Sequence, residues 1–155
     1  MSFRFGWVRI WILAGLLCVA PGALPRASAA DAAAGPSLYK RLGGYDAIAA
    51  VTDDFLGRLL AERRFEKFFS GASLDSKGRI RQHIVDQLCF ATGGPCVYTG
   101  RTMKAAHAGL GISEDDWNAA VADLVASLDR FHVPAREKGE LSAILATVKA
   151  DIVEK

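Results

Sequence analysis

The chain has few side chains able to hold a metal or act as a nucleophile. Three histidines (His83, His107 and His132), three cysteines and two methionines are spread over 155 residues. A structural zinc needs four His- or Cys-type ligands at recognisable spacing, and no such pattern occurs. HExxH, the phosphate-cradling P-loop, GxSxG and the ExxH signature of di-iron bundles are missing too, so hydrolytic chemistry has no support. No stretch alternates apolar and polar residues as a half-buried strand would. No repeat or low-complexity block follows residue 30.

Basic excess is also lacking once the first residues are set aside. Arg4 and Arg9, the apolar run over residues 10–20 and the small residues Ala27-Ser28-Ala29-Ala30 make the pattern of a secretory signal peptide. The apolar run is short of the roughly 20 residues a membrane span needs, and Pro21, Gly22 and Pro25 follow it. The expectation is a signal peptide over 1–30, a flexible Ala/Gly/Pro-rich tail over 31–36 and one domain over 37–155, placed in the periplasm or secreted. An uncleaved N-terminal membrane anchor is the alternative. Cys18 follows Leu17, not the small residue of a lipidation site. Taking Arg4, Arg9 and Arg26 from the 19 basic residues leaves 16 against 17 acidic ones. That balance excludes the concentrated basic footprint of a nucleic-acid binder.

Cys89 and Cys96 remain in the processed chain. Export favours a compartment where a disulfide persists. Their spacing is neither CxxC nor CxxCH. A bridge requires Cα atoms within about 7 Å; a buried thiol with a separate loop thiol is the reading the sequence favours over a bridge.

Helical periodicity covers most of the domain. Ser37 caps a short helix ended by Gly43-Gly44. A longer helix follows over 45–61, with Ile48, Val51, Phe55 and Leu59 on one face, then a short one ending in Phe68-Phe69. Residues 70–76 read as a loop, and a helix over 77–91 carries the stripe Ile80, Ile84, Leu88 and Ala91. Gly93-Gly94-Pro95 stops it. A brief helix over 101–108 holds His107. Ser113 caps the next helix, whose stripe includes Trp117, Leu124 and Leu128, and Pro134 opens a last helix running to Ile152. The class is all-α, and periodicity alone admits a four-helix bundle.

His107 has small neighbours, which let a large flat ligand approach; one ring nitrogen would bind a metal while the other donates to a backbone carbonyl. His83 flanks the Ile80/Ile84/Leu88 face. Taken singly, either histidine reads as well as an ordinary surface or core residue. His132, in a turn between Phe131 and Val133, reads as no ligand.

Taken together, the ordered set resembles the group 1 truncated haemoglobins. It comprises Ser37-Leu38-Tyr39 with Gly43-Gly44, Asp54-Phe55, Phe68-Phe69 with Gly71, Gly93-Gly94-Pro95, Tyr98-Thr99-Gly100-Arg101, Met103-Lys104-Ala105-Ala106-His107, Gly111-Ile112 and Val133-Pro134. The resemblance spans essentially the whole domain. It implies a two-over-two truncated globin fold around haem b, with His107 as proximal iron ligand and Phe68 and Phe69 at a haem-contacting corner. Ile80, Ile84 and Leu88 would line the distal helix, and Tyr98, Met103 and Trp117 would support the pocket. Lys104, Arg101 and Arg79 are candidates for the haem propionates, since cationic donors suit carboxylates.

The sequence departs from that pattern in three places. Leu56 stands where many relatives carry a tyrosine, and Ile84 where many carry a glutamine. Both replacements withhold a hydrogen bond from bound dioxygen, typically about 0.5–1.5 kcal/mol each. The loop over 71–80 looks longer than in many relatives, and its Gly78 would loosen the approach to the distal helix. His83 lies ten residues before Gly93, the place from which a histidine binds iron on the distal side in some six-coordinate relatives.

The resemblance therefore implies a haem protein that binds oxygen, nitric oxide or carbon monoxide, with His83 as a reversible second ligand. A bis-histidyl electron-transfer protein with a redox partner is one alternative, and nitric oxide dioxygenation another. A helical binding module without haem, using Trp117 and the aromatic corner, is the remaining class.

Overall fold

The structure, a computed structural model, describes residues 35–155. The expected signal peptide and most of the expected tail lie outside the described residues. Within them the chain forms helices α1 (Leu38–Arg41), α2 (Gly44–Ala61), α3 (Glu66–Phe69), α4 (Leu74–Ala91), α5 (Met103–His107), α6 (Glu114–Arg130), α7 (Ala135–Ala146) and α8 (Lys149–Ile152). No strand occurs among the described residues.

Two helix pairs hold the molecule together. Ile48 on α2 packs against Val85 and Cys89 on α4. Leu124 and Leu128 on α6 pack against Leu141 on α7. Leu38 and Val51 belong to that second cluster and join α1 and α2 to it. Fully burying a side chain of this kind stabilises a fold by about 1.5–3 kcal/mol. The all-α expectation and the two-over-two pairing both hold.

Polar contacts tie the same elements. Arg41 on α1 reaches Glu137 at 2.9 Å and also pairs with Glu140, both on α7. Arg81 on α4 holds Asp53 on α2 at 2.5 Å. Arg130 on α6 pairs with Asp54 on α2.

Several boundaries differ from the sequence expectation. The long α4 begins at Leu74, not 77, because Ser73 caps it: its hydroxyl accepts from the Ser76 amide at 3.1 Å. Gly78 consequently lies inside this helix rather than in a loosening loop. The helix carrying His107 is shorter than expected, with Thr102 as its cap. Pro134 is the cap of α7 and not its first helical residue. The last expected helix is broken between Ala146 and Lys149. There the Thr147 hydroxyl donates to the Ile144 carbonyl at 2.7 Å, and the Val148 amide bonds only three residues back.

Cys89 and Cys96 form a disulfide with Cα atoms 5.8 Å apart. It closes the corner after α4. Gly94 sits in the same corner, where a Cβ would lie 2.6 Å from the Tyr39 ring and 2.8 Å from the Cys89 carbonyl oxygen. The Tyr39 amide donates to the Thr92 carbonyl at 2.8 Å, so α1 docks on the end of α4.

Candidate functional site

The five-residue helix α5 presents His107 at its C-terminal end. Its Nδ1 lies 2.8 Å from the carbonyl oxygen of Met103. A carbonyl only accepts, so Nδ1 carries the proton and donates. In the neutral ring this tautomer leaves the lone pair on Nε2, the atom that would then bind a metal. The ring is half-buried.

Helix α4 has two apolar edges with different fates. Val85 and Cys89 are fully covered by α2. Ile80, Ile84 and Leu88 form the other edge. Ile80 is 36 % exposed, while Ile84 and Leu88 are half-buried. Ile84 packs with Phe68 and Phe69 around the buried Leu56. The helices α2, α3 and α4 thus bring together four of the residues singled out from the sequence. Leu88 instead belongs to the two main core clusters. Phe69 also lines a shallow cavity with Leu60, Glu66, Ser70 and Lys77.

His83 and Tyr98 form a second grouping. Their ring centroids are 6.0 Å apart in an edge-on arrangement. The Tyr98 hydroxyl donates to the Arg101 carbonyl at 2.7 Å, which folds the segment leading into α5. Burial pushes the Tyr98 hydroxyl above its ordinary pKa. The middle of α4 is thereby connected to the approach to His107.

Met103 is half-buried at the start of α5, and Trp117 is half-buried on the first turn of α6. Lys104, Arg101 and Arg79 are exposed, with Arg79 bonded to the Ser76 hydroxyl at 3.2 Å. His132 is exposed in the turn after α6, with φ 56°. Glu154 carried no recognisable motif in the sequence. Its carboxylate accepts from the backbone amides of Gly109 and Gly111, across 45 and 43 residues of chain.

The family model for bacterial-like globins matches residues 37–154. A group 1 truncated hemoglobin of Mycolicibacterium paratuberculosis is 31 % identical, over 75 % of this chain and 83 % of that protein. One from Synechocystis is 32 % identical, over 70 % of this chain and 88 % of that one. The chain belongs to the group 1 truncated haemoglobins. Among solved structures, the truncated hemoglobin of Tetrahymena pyriformis in its Fe(III) form superposes with a TM-score of 0.71 at 27 % identity, covering 77 % of this chain and all of that one (100 %). The 2/2 hemoglobin of a Synechococcus species, in the cyanomet state with covalently attached heme, gives 0.70 at 28 % identity, with coverage of 77 % and 100 %.

The residues of this truncated haemoglobin fit a haem. The fit rests on two observations: the hydrogen bond from His107 Nδ1 to Met103, which directs metal binding to Nε2, and the apolar edge of α4 that no other helix fully covers. A flat apolar group bearing a Lewis-acidic centre matches both. Lys104, Arg101 and Arg79 would serve its carboxylates.

Proposed function

We propose that this truncated haemoglobin would hold haem b through His107 and bind a diatomic ligand there, with His83 as a displaceable second ligand. The donor set at His107 carries the reading: its Nδ1 proton is committed to Met103. When bound, haem supplies an iron centre that takes up dioxygen, nitric oxide or carbon monoxide, or exchanges one electron.

The chain's own residues set the terms of that uptake. Leu56 and Ile84 exclude water and donate no hydrogen bond. His83 and Tyr98 are the polar side chains adjoining this edge of α4 through the contact between their rings. His83 must leave before an external ligand binds in its place. The apolar surroundings of Leu56 and Ile84 also favour the second reading, a bis-histidyl electron carrier with a protein redox partner. Nitric oxide dioxygenation draws less support, because both residues lack the polar groups that would steady dioxygen.

Absorption and resonance Raman spectra of the ferric, ferrous and carbon monoxide forms test the assignment. A six-coordinate low-spin ferric spectrum that His83→Ala converts to another ligation state supports it. A high-spin parent spectrum, or a low-spin one unaltered by the substitution, overturns the role of His83.

The reading extends to location. Residues 1–30 act as an export signal, and the oxidised pair Cys89–Cys96 suits an oxidising compartment. The mass of the protein recovered from expressing cells decides this: a chain starting near Asp31 supports export, and an intact Met1 chain in the cytoplasm refutes it.

A further inference from the structure

The loop after His107 contains two glycines in left-handed geometry, Gly109 at φ 80° and Gly111 at φ 64°. A loop of this kind, next to a five-residue helix, has little stiffness of its own. Residues 153–155 fasten it from outside. The Glu154 carboxylate accepts from the Gly109 amide through Oε1 at 2.6 Å and from the Gly111 amide through Oε2 at 2.5 Å. The Glu154 amide donates to the Ile112 carbonyl at 2.8 Å, and the Glu114 amide donates to the Lys155 carbonyl at 3.1 Å. Lys149 pairs with Glu114 at 2.5 Å, so α8 is held to the start of α6 as well. Three hydrogen bonds thus bind Glu154 to the loop between the iron-ligating candidate and α6, and two further contacts hold Lys155 and Lys149 to Glu114 at the start of α6.

We propose that Glu154 is a positioning residue for His107: by gripping the Gly109 and Gly111 amides it fixes the end of α5 and hence the orientation of the proximal imidazole. The proposal rests on the reading of His107 as the iron ligand. The chemistry favours a carboxylate at this place. Two divergent amide donors need two acceptor oxygens on one rigid plane, and charge-assisted hydrogen bonds are the stronger kind. The amides of Gly109 and then Gly111 hold the Glu154 carboxyl below its ordinary pKa. Helix α5 also packs directly on α8, so the grip and the packing act on the same short helix.

Glu154 is exposed and outside the core clusters, so its substitution leaves the fold intact. The test compares the haem-loaded parent with Glu154→Gln, which keeps one good acceptor oxygen, and Glu154→Ala, which keeps none. Two quantities are read: amide hydrogen exchange at Gly109 and Gly111, and the iron–imidazole stretching band of the ferrous protein, the band being recorded for parent and variants alike with His83→Ala added so that the iron is five-coordinate. Expected are exchange rates raised roughly tenfold or more in Glu154→Ala and less in Glu154→Gln, with a band that shifts and broadens in the same order. Unchanged exchange shows that the grip does not exist in solution and overturns the proposal. Faster exchange with an unchanged band shows a grip that does not reach the imidazole, and overturns it too. A parent protein whose iron–imidazole band survives His107→Gly refutes the ligand assignment itself, a separate failure.

Discussion

Leu56 is 9 % exposed and packs with Phe68, Phe69 and Ile84. None of these four side chains can donate a hydrogen bond, so a polar diatomic ligand among them would be held by its metal bond alone. Restoring one donor changes that balance. Ile84 is the suitable position, because it is half-buried at the edge of the cluster whereas Leu56 is enclosed within it. Ile84→Gln is expected to slow dioxygen release from the ferrous protein about tenfold, the equivalent of one hydrogen bond of about 1.4 kcal/mol. Stopped-flow displacement by carbon monoxide measures it, and an unchanged release rate would place Ile84 away from the bound ligand. Several candidate residues of this site stood out in the sequence because they belong to compact motifs, Phe68-Phe69 and Met103 to His107, whereas Leu56 and Ile84 stood out only as departures from the family pattern. The tautomer of His107 was legible as a requirement, but the identity of the accepting carbonyl needed the structure. Glu154 was not legible, since its partners lie more than 40 residues away and are backbone amides that leave no trace in side-chain pattern.

Helix α4 shows what periodicity finds and what it leaves open. Its apolar stripe of Ile80, Ile84 and Leu88 is plain in the sequence, and only the family resemblance assigns it to a pocket. The face that is fully buried carries Val85 and Cys89, one residue further round; Leu88 packs on the two main core clusters, while Ile80 and Ile84 stay partly exposed. A 3.6-residue pattern records which positions avoid water; it does not say whether protein or cofactor covers them. The start of the helix was misplaced for a different reason. The Ser73 cap and the polar first turn Asp75-Ser76-Lys77 resemble a loop in composition, although Ser73 satisfies the exposed amide of that turn. Gly78 then becomes a helix-interior glycine, and a Cβ there would meet no atom within 4 Å. Gly78→Ala is therefore expected to raise stability by about 0.5–1 kcal/mol, read as a higher urea midpoint. A loss of stability would mean that the first turns of α4 are not helical in solution.

At the scale of the whole molecule, charge reinforces the joint between α2 and α6. Arg58, then Ser127 and Arg130, hold the Asp54 carboxyl at about 2, below the ~3.9 of an unfolded chain. The unfolded chain therefore binds the proton first, and the contribution of Asp54 is fully present above about pH 4 and is lost as pH falls through about 2. Asp54→Asn removes that dependence: the drop in urea midpoint between about pH 5 and about pH 2.5 should be smaller than in the parent. An equal drop would show that Asp54 titrates normally and that its pairing with Arg130 does not persist. All of these elements bear on one proposed arrangement, in which two helix pairs and a short helix would hold the His107 imidazole against a haem. The most direct test is the ferrous carbon monoxide spectrum of folded His107→Gly, with and without added imidazole. The account expects haem retention and the iron–imidazole signature to be lost on substitution and restored by imidazole. A variant that keeps the cofactor in the parent's coordination state without imidazole would contradict it.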